Sequence, residues 1–325
     1  MQISCSFPPS LETPEYAAVA EDLGYHRAWL YDSPALYHDI WVTLARVAER
    51  TERIGLGTAV LVPNNRHPLV TASAIATIED LAPGRLAVAI GTGFTGRMAM
   101  GKRALPWSFV AHYVRQVRAL LAGDTVEVDG ARCRMIHPDG FAPPRPIDVP
   151  FVIAANGPKG IEVARELGDG IMTIGGGQPE FEWCAVLAFG TVLDDGETFD
   201  SPRVVSAAGA GVAVVYHGMY EGDPAAVEAL PNGAAWRADI EQIPADERHL
   251  AVHEGHLVRV SERDTNIIDP SLIPAFTWSG STAEIRARVE GAAASGVTEI
   301  VYQPIGESRA EIARELRAFR EAASA

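Results

Sequence analysis

Residues 54–93 read IGLGTAVLVPNNRHPLVTASAIATIEDLAPGRLAVAIGTG, and their alternation decides the fold. Ile54 to Val62 is an apolar run of strand length, and Pro68 to Leu81 is a helical segment entered through a proline. Pro83-Gly84 then stops the chain before a second strand, Arg85 to Gly91. Strand, helix, hard stop and strand again is the cadence of βα units feeding a parallel sheet.

The cadence extends both ways. Upstream lie a strand from Gln2 to Phe7, a helix from Thr13-Pro14 to Gly24, a strand from Arg27 to Tyr31 and a helix from Asp39 to Arg50. In the first helix Tyr16, Ala20 and Leu23 recur at helical spacing, and Gly24 is placed as its left-handed terminator. Downstream, a helix from Trp107 to Ala122 carries Phe109, Tyr113, Val117 and Leu120 on one stripe and ends at Gly123. Thr125 to Met135 alternates around Asp129-Gly130, a hairpin signature that marks residues 124–148 as a small insertion.

The fifth unit is the strand Phe151 to Ala155, the turn Asn156-Gly157-Pro158 and a helix to Leu167. The sixth is the strand Gly170 to Ile174, the triple glycine Gly175-Gly176-Gly177 and a helix near Phe181 to Val192. Val204 to Tyr216, rich in Val, Ala and Gly, reads as a buried seventh strand. The polar stretch 221–274 that follows is too long for a loop and reads as the largest insertion, lid-like, after strand seven. Ser281 with Glu284, and Ser308 with Glu311, match the capping box at two helix starts, with the strand Val297 to Tyr302 between them. Eight strand–helix pairs in 325 residues predict an α/β chain folded as one (β/α)8 TIM barrel with insertions, spanning residues 1–325.

Acidic residues outnumber basic ones 42 to 27, a net charge of −15 that opposes binding to phosphate backbones, so no nucleic-acid partner is expected. Cys5, Cys133 and Cys184 are odd in number and lack metal-ligand spacing, which reads as reduced thiols in a cytoplasmic protein. The start, Met1-Gln2-Ile3-Ser4, has no basic leader, and the apolar Val204 to Tyr216 run falls short of the roughly 20 residues that span a bilayer. No membrane association is expected.

In such a barrel the chemistry sits where the strands end. The residues there are Tyr31-Asp32-Ser33-Pro34, Ala59-Val60, Gly91-Thr92-Gly93-Phe94, Asn156-Gly157-Pro158-Lys159, and Thr173 with the triple glycine. Together with Glu21-Asp22-Leu23-Gly24-Tyr25, Trp29, Arg66-His67-Pro68, Pro83-Gly84-Arg85 and Ala154-Ala155, these segments resemble, in order and nearly end to end, the bacterial luciferase-like superfamily. The resemblance is greatest to its deazaflavin (coenzyme F420)-dependent branch, which includes methylenetetrahydromethanopterin reductase.

That resemblance implies a cofactor ring across the barrel mouth, supported by Ala59 and Val60 through a non-proline cis peptide, with Thr92 and Gly93 beside it. It implies that the phosphate side lies toward Ala155, Asn156, Gly157 and Pro158, and toward Thr173, Gly175 and Gly176. A helix begins at Gly157-Pro158, so its free amides form an anion site on physical grounds too. Asp32 takes the family's acid position, as a catalytic or cofactor-orienting group, and Ser33 replaces the usual histidine. Phe94 stands where the family's glucose-6-phosphate dehydrogenases carry Glu, and the lysine they have near Gly176 is missing, so a different substrate is implied.

Other motifs weigh less. Gly91-Thr92-Gly93-Phe94-Thr95-Gly96 matches the dinucleotide string, but it lies in the fourth unit and no helix is expected before Pro106. His249, His253 and His256 can share one helical face. They are read as a polar face of the lid, with His253 a candidate proton donor, and no metal is assigned. His67, His112 and His217 read as isolated structural histidines. The sequence thus predicts an F420-dependent oxidoreductase moving hydride between the deazaflavin C5 and a small organic molecule, as a homodimer. The alternatives are an FMN-dependent two-component monooxygenase and a non-catalytic flavin-binding barrel.

Overall fold

The computed structural model describes residues 1–324. Among the described residues there are ten strands: β1 (Gln2–Phe7), β2 (Arg27–Leu30), β3 (Gly55–Leu61), β4 (Leu86–Ile90), β5 (Val126–Val128), β6 (Ala131–Cys133), β7 (Phe151–Ala154), β8 (Gly170–Thr173), β9 (Cys184–Phe189) and β10 (Glu299–Gln303). Eight of them close into a parallel barrel in the order β1-β10-β9-β8-β7-β4-β3-β2. β5 and β6 instead pair with each other antiparallel, about a turn in which Asp129 and Gly130 both have positive φ. Because every barrel strand runs the same way, all eight C-terminal ends meet at one rim.

Outer helices pack on the barrel through their apolar stripes. Helix Trp107–Ala122 buries Val110, Tyr113, Val114, Val117, Leu120 and Leu121, and Gly123 ends it at φ 94°. Both capping boxes form: the Ser281 side chain accepts from the Glu284 amide while Glu284 accepts from the Ser281 amide, and Ser308 and Glu311 do the same. At the barrel axis, buried Trp29 lies over Gly57 on the neighbouring strand, and a Cβ at Gly57 would fall 2.2 Å from the indole. The indole nitrogens of Trp29 and Trp183 both donate to the fully buried Glu299 carboxylate, at 2.9 and 2.6 Å.

Two sequence assignments are corrected. Val204 to Tyr216 is not a strand but the middle of a 21-residue helix, Pro202–Gly222. Val204, Ala208, Val212, Tyr216 and Tyr220, each four residues apart, are buried together with Trp236, Ile240 and Ile267 in a second core. An Ala/Gly-rich apolar run fits either structure, and residues four apart share a face in both, so the packing in this second core decides for the helix. The seventh barrel strand is β9, which lies inside the segment read as the helix Phe181 to Val192. Residues 190–298 therefore join β9 to β10 and carry several helices, including Pro202–Gly222, Gly233–Glu241 and Arg248–Val252. A third correction is local: a short helix, Phe94–Met98, does follow Gly93, whose φ of 76° suits glycine.

The long connection is tied down by charge. Glu315, from the last helix, is buried and receives Arg203 at 2.9 Å and Arg314 at 2.8 Å, and its other oxygen accepts from Thr191. Among the described residues no helix is long and apolar enough to cross a membrane.

The Trp29 and Gly57 contact carries a measurable consequence. Gly57→Ala overpacks the axis and should lower stability by about 1–3 kcal/mol, read as the midpoint of urea unfolding. Trp29→Leu in the same chain should recover part of that loss, so the double variant costs less than the sum of the singles.

Candidate functional site

The rim is built from adjacent strand ends. β3 and β4 pair in register up to Thr58, then shift before Leu61 pairs with Ile90. Ala59 and Val60 occupy that bulge and are joined by a cis peptide, as the resemblance implied. The Val60 side chain lies toward the next two strand ends: a Cβ at Gly91 would sit 3.2 Å from Val60 Cγ2 and 3.4 Å from Ala154 Cβ. Val60, Gly91 and Ala154 thus form a continuous low floor, because the central member has no side chain.

Beyond that floor are the turns after β7 and β8. Asn156 Oδ1 accepts the Ile174 amide at 2.9 Å, and Thr173 Oγ1 donates to the Gly176 carbonyl at 2.7 Å, so the two turns are locked side by side. Asn156, Gly157, Pro158 and Gly175 are exposed, and a Cβ at Gly157 or Gly176 would meet nothing within 4 Å. The helix Pro158–Leu167 starts at Gly157; Pro158 has no N–H and the Gly160 amide bonds the Gly157 carbonyl at 3.0 Å, which leaves the Lys159 amide unpaired in the first turn. Thr173 and Ala155 are buried beneath. Thr92 is half-buried, with its carbonyl held by the Leu105 amide, and Gly93 is packed where a Cβ would lie 2.6 Å from Val62.

Asp32 and Ser33 sit at the opposite side of the β3 loop. Asp32 is 3% exposed and accepts from the Val62 amide at 3.0 Å and from Arg66 Nη1 at 2.9 Å. Arg66 also reaches Asp39 at 2.8 Å. Burial works against the Arg66 charge, but the Asp32 and Asp39 carboxylates outweigh it and raise the guanidinium pKa. Asp32 is therefore a buried ion-pair partner that pins the end of β3. Ser33 is buried, its Oγ 3.2 Å from where a Gly96 Cβ would lie.

Sequence reasoning missed Ser6 and Gln303, which share the mouth with Tyr31. The Tyr31 phenol donates to Gln303 Oε1 and lies 2.7 Å from Ser6 Oγ. Burial, only partly offset by Ser6, pushes that phenol well above its ordinary range, so its proton stays on the oxygen. Gln303 ends β10, one residue past the predicted strand end at Tyr302, and extending the strand-end inspection by one position would have found it. Gln303 Nε2 in turn donates to the Leu257 carbonyl at 2.7 Å, and Tyr37 donates to the His256 carbonyl. Residues 256–257 thus contact the loop after β2 and the end of β10.

His253 is buried in that connection, and its neighbours differ from those read by spacing. It lies with His217 and His256, whereas His249 packs at Gly101. His217, read as isolated, is in fact stacked on Trp236 and His256. Burial, with His217 and His253 alongside, pushes His256 well below its usual range and keeps it neutral. A separate cavity of about 390 Å³ opens at the far end of the barrel, lined by Gln2, Glu21, His26 and Arg53 among others. It lies away from every strand C-terminus, and the rim chemistry has no counterpart there.

The model of the family described as luciferase-like monooxygenase matches residues 8–299. A 5,10-methylenetetrahydromethanopterin reductase from Methanolobus tindarius is 26% identical over 318 residues, covering 93% of both chains. Among solved structures, an F420-dependent secondary alcohol dehydrogenase in complex with an F420-acetone adduct superposes with TM-score 0.68 at 16% identity, covering 100% of this chain and 99% of that one. The coenzyme F420-dependent tetrahydromethanopterin reductase from Methanopyrus kandleri gives 0.65 at 18%, covering 99% and 97%. At those identities the superpositions show a shared fold.

The Asp32 geometry separates two roles. Asp32→Ala leaves Arg66, whose side chain is 14% exposed, with Asp39 as its remaining ion-pair partner and the Val62 amide without its acceptor, and should destabilise the chain by about 1–3 kcal/mol in chemical denaturation. A carboxylate acting only on substrate would leave stability unchanged.

Proposed function

The chain belongs to the luciferase-like monooxygenase family, and on that premise we infer that it is a coenzyme F420-dependent oxidoreductase that moves hydride between the deazaflavin C5 and a small organic substrate. The matched relatives named as F420-dependent enzymes support the cofactor. The observation that carries the reading is the rim itself: a low floor of Val60, Gly91 and Ala154 runs into open glycine turns at Gly157 and Gly176. A planar ring needs such a floor, and a phosphate-bearing tail needs exposed amides.

When bound, the deazaflavin supplies the hydride chemistry. Ala59 and Val60 support the ring, with Thr92 and Gly93 beside it. Ala155, Asn156, Gly157, Pro158, Thr173, Gly175 and Gly176 form the phosphate side. Asp32, through Arg66 and the Val62 amide, fixes the end of the bulged strand, and so serves orientation rather than proton transfer. Tyr31 holds a proton at the mouth, aligned by Gln303 and Ser6. The connection 221–274, which reaches the rim at residues 256–257, acts as the lid that limits water, with His253 buried inside it.

A small molecule other than glucose 6-phosphate is the expected substrate, since Phe94 stands at a position that is acidic in those dehydrogenases. Free thiols at Cys5, Cys133 and Cys184 fit a reducing cytoplasm. The proposed unit is a homodimer through outer helices, supported by Val42 (64% exposed) and Val70 (55% exposed) on the packed pair Ile40–Arg50 and Pro68–Leu81.

Titration under anaerobic conditions with F420 and, separately, FMN, followed by cofactor fluorescence, tests the reading. Saturable binding of F420 is expected, whereas binding of FMN alone would make the chain an FMN monooxygenase component. Gly157 has ordinary backbone angles (φ −105°) and open space at its Cβ, so Gly157→Asp should fold normally. It should weaken F420 binding by roughly tenfold or more, equivalent to about 1.4 kcal/mol, because it sets a carboxylate against the cofactor phosphate.

A further inference from the structure

His217, on the helix Pro202–Gly222, meets His253 and His256 from a later turn of the long connection, and the three converge through one kind of atom. His217 Nδ1 lies 3.4 Å from His256 Nδ1, and His253 Nδ1 lies 3.5 Å from the same atom. All three rings are buried, and their potential ligand atoms lie within 4.8 Å of one another. In a tetrahedral zinc site with metal–nitrogen bonds of about 2.0–2.1 Å, neighbouring ligand nitrogens stand roughly 3.3–3.4 Å apart. The separations of 3.4 and 3.5 Å are close to two such edges.

The far sides of the rings are equally ordered. His217 Nε2 faces Asp264 Oδ2 at 3.2 Å, and His253 Nε2 faces Glu221 Oε1 at 3.2 Å. Asp264 is buried and is held by the Trp236 indole at 2.8 Å and by the Ser261 hydroxyl through its own amide. A carboxylate that accepts Nε2–H fixes the tautomer with a lone pair on Nδ1. Two such lone pairs then point at His256, whose single Nδ1 proton cannot fully satisfy both. A cation in their midst would satisfy all three nitrogens, and carboxylate-backed histidines are how proteins orient metal ligands.

We propose that His217, His253 and His256 form a divalent-metal site, best suited to zinc, with Asp264 and Glu221 orienting two of its ligands. An all-imidazole set without a carboxylate ligand favours zinc over magnesium or calcium. Three protein ligands leave one position for water or another non-protein ligand. His256 Nε2 lies 3.5 Å from Thr95 Oγ1 on the short helix Phe94–Met98, and its carbonyl is held by Tyr37. The metal would therefore fix helix Pro202–Gly222 and residues 253–256 against the barrel rim.

The test uses the untagged full chain, stripped with a chelator and shown folded by circular dichroism, then titrated with zinc chloride and with cobalt chloride. One zinc per chain by mass spectrometry, and the strong visible absorption of four-coordinate cobalt, are expected. His253→Ala should abolish both. Glu221→Gln, which keeps all three ligands and alters a partly exposed side chain, should weaken zinc roughly 10- to 100-fold in competition with a chromophoric chelator. His112→Ala, on an exposed residue away from the cluster, should change nothing. Folded wild-type chain that takes up neither metal would overturn the site, as would uptake that is unaltered in both His253→Ala and Glu221→Gln.

Discussion

Closure of eight parallel strands is the constraint on which the rest depends. With no free edge, every strand must end at the same rim, and the axis must be filled by side chains whose volumes add up around it. Trp29 takes most of the space at its level, which is why Gly57 and the alanines at 87 and 89 surround it. The bulk lies below the rim and the small residues lie at it, so the barrel ends in a shallow, low floor.

That floor works only while its loops keep their places. The end of β3 is held by an ion pair, Asp32 with Arg66, whose members lie at most 14% exposed. A charge pair so buried contributes geometry more than net stability, since desolvation offsets much of the attraction. The turns after β7 and β8 are held by a different device, the Asn156 amide and the Thr173 hydroxyl bonding to main chain. Polar groups committed in this way leave the glycine amides around them free for a ligand.

The middle of the connection from β9 to β10 has its own apolar core, whereas its ends, with Val192, Ile285 and Val289, belong to the core of the barrel. Glu315 anchors its start, and the Leu257 carbonyl meets Gln303 near its middle. A segment with an independent core can keep its shape while its contacts with the rim make and break, which is the mechanical requirement for a cover over a reaction site.

The βα cadence of residues 54–93 and the stops at Gly24, Gly84 and Gly123 were legible in the chain, because periodicity and terminators act within one turn of helix or one strand. The rim glycines were legible for the same reason, as they follow their strands directly. The run from Val204 to Tyr216 was not, since Val, Ala and Gly suit a buried strand as well as a buried helix, and only the neighbours it packs against decide between them. The grouping of the histidines was beyond local reading too: spacing joined His249 to His253 and His256, whereas packing rejected His249 and brought in His217 from 36 residues before His253. Sequence by itself determined a parallel α/β barrel and the glycine-rich rim that ends its strands, but not which segment forms the seventh strand. Tertiary structure alone decided that Asp32 faces Arg66 and that three histidines share one point, because such pairings depend on which side chains closure brings within a few ångströms.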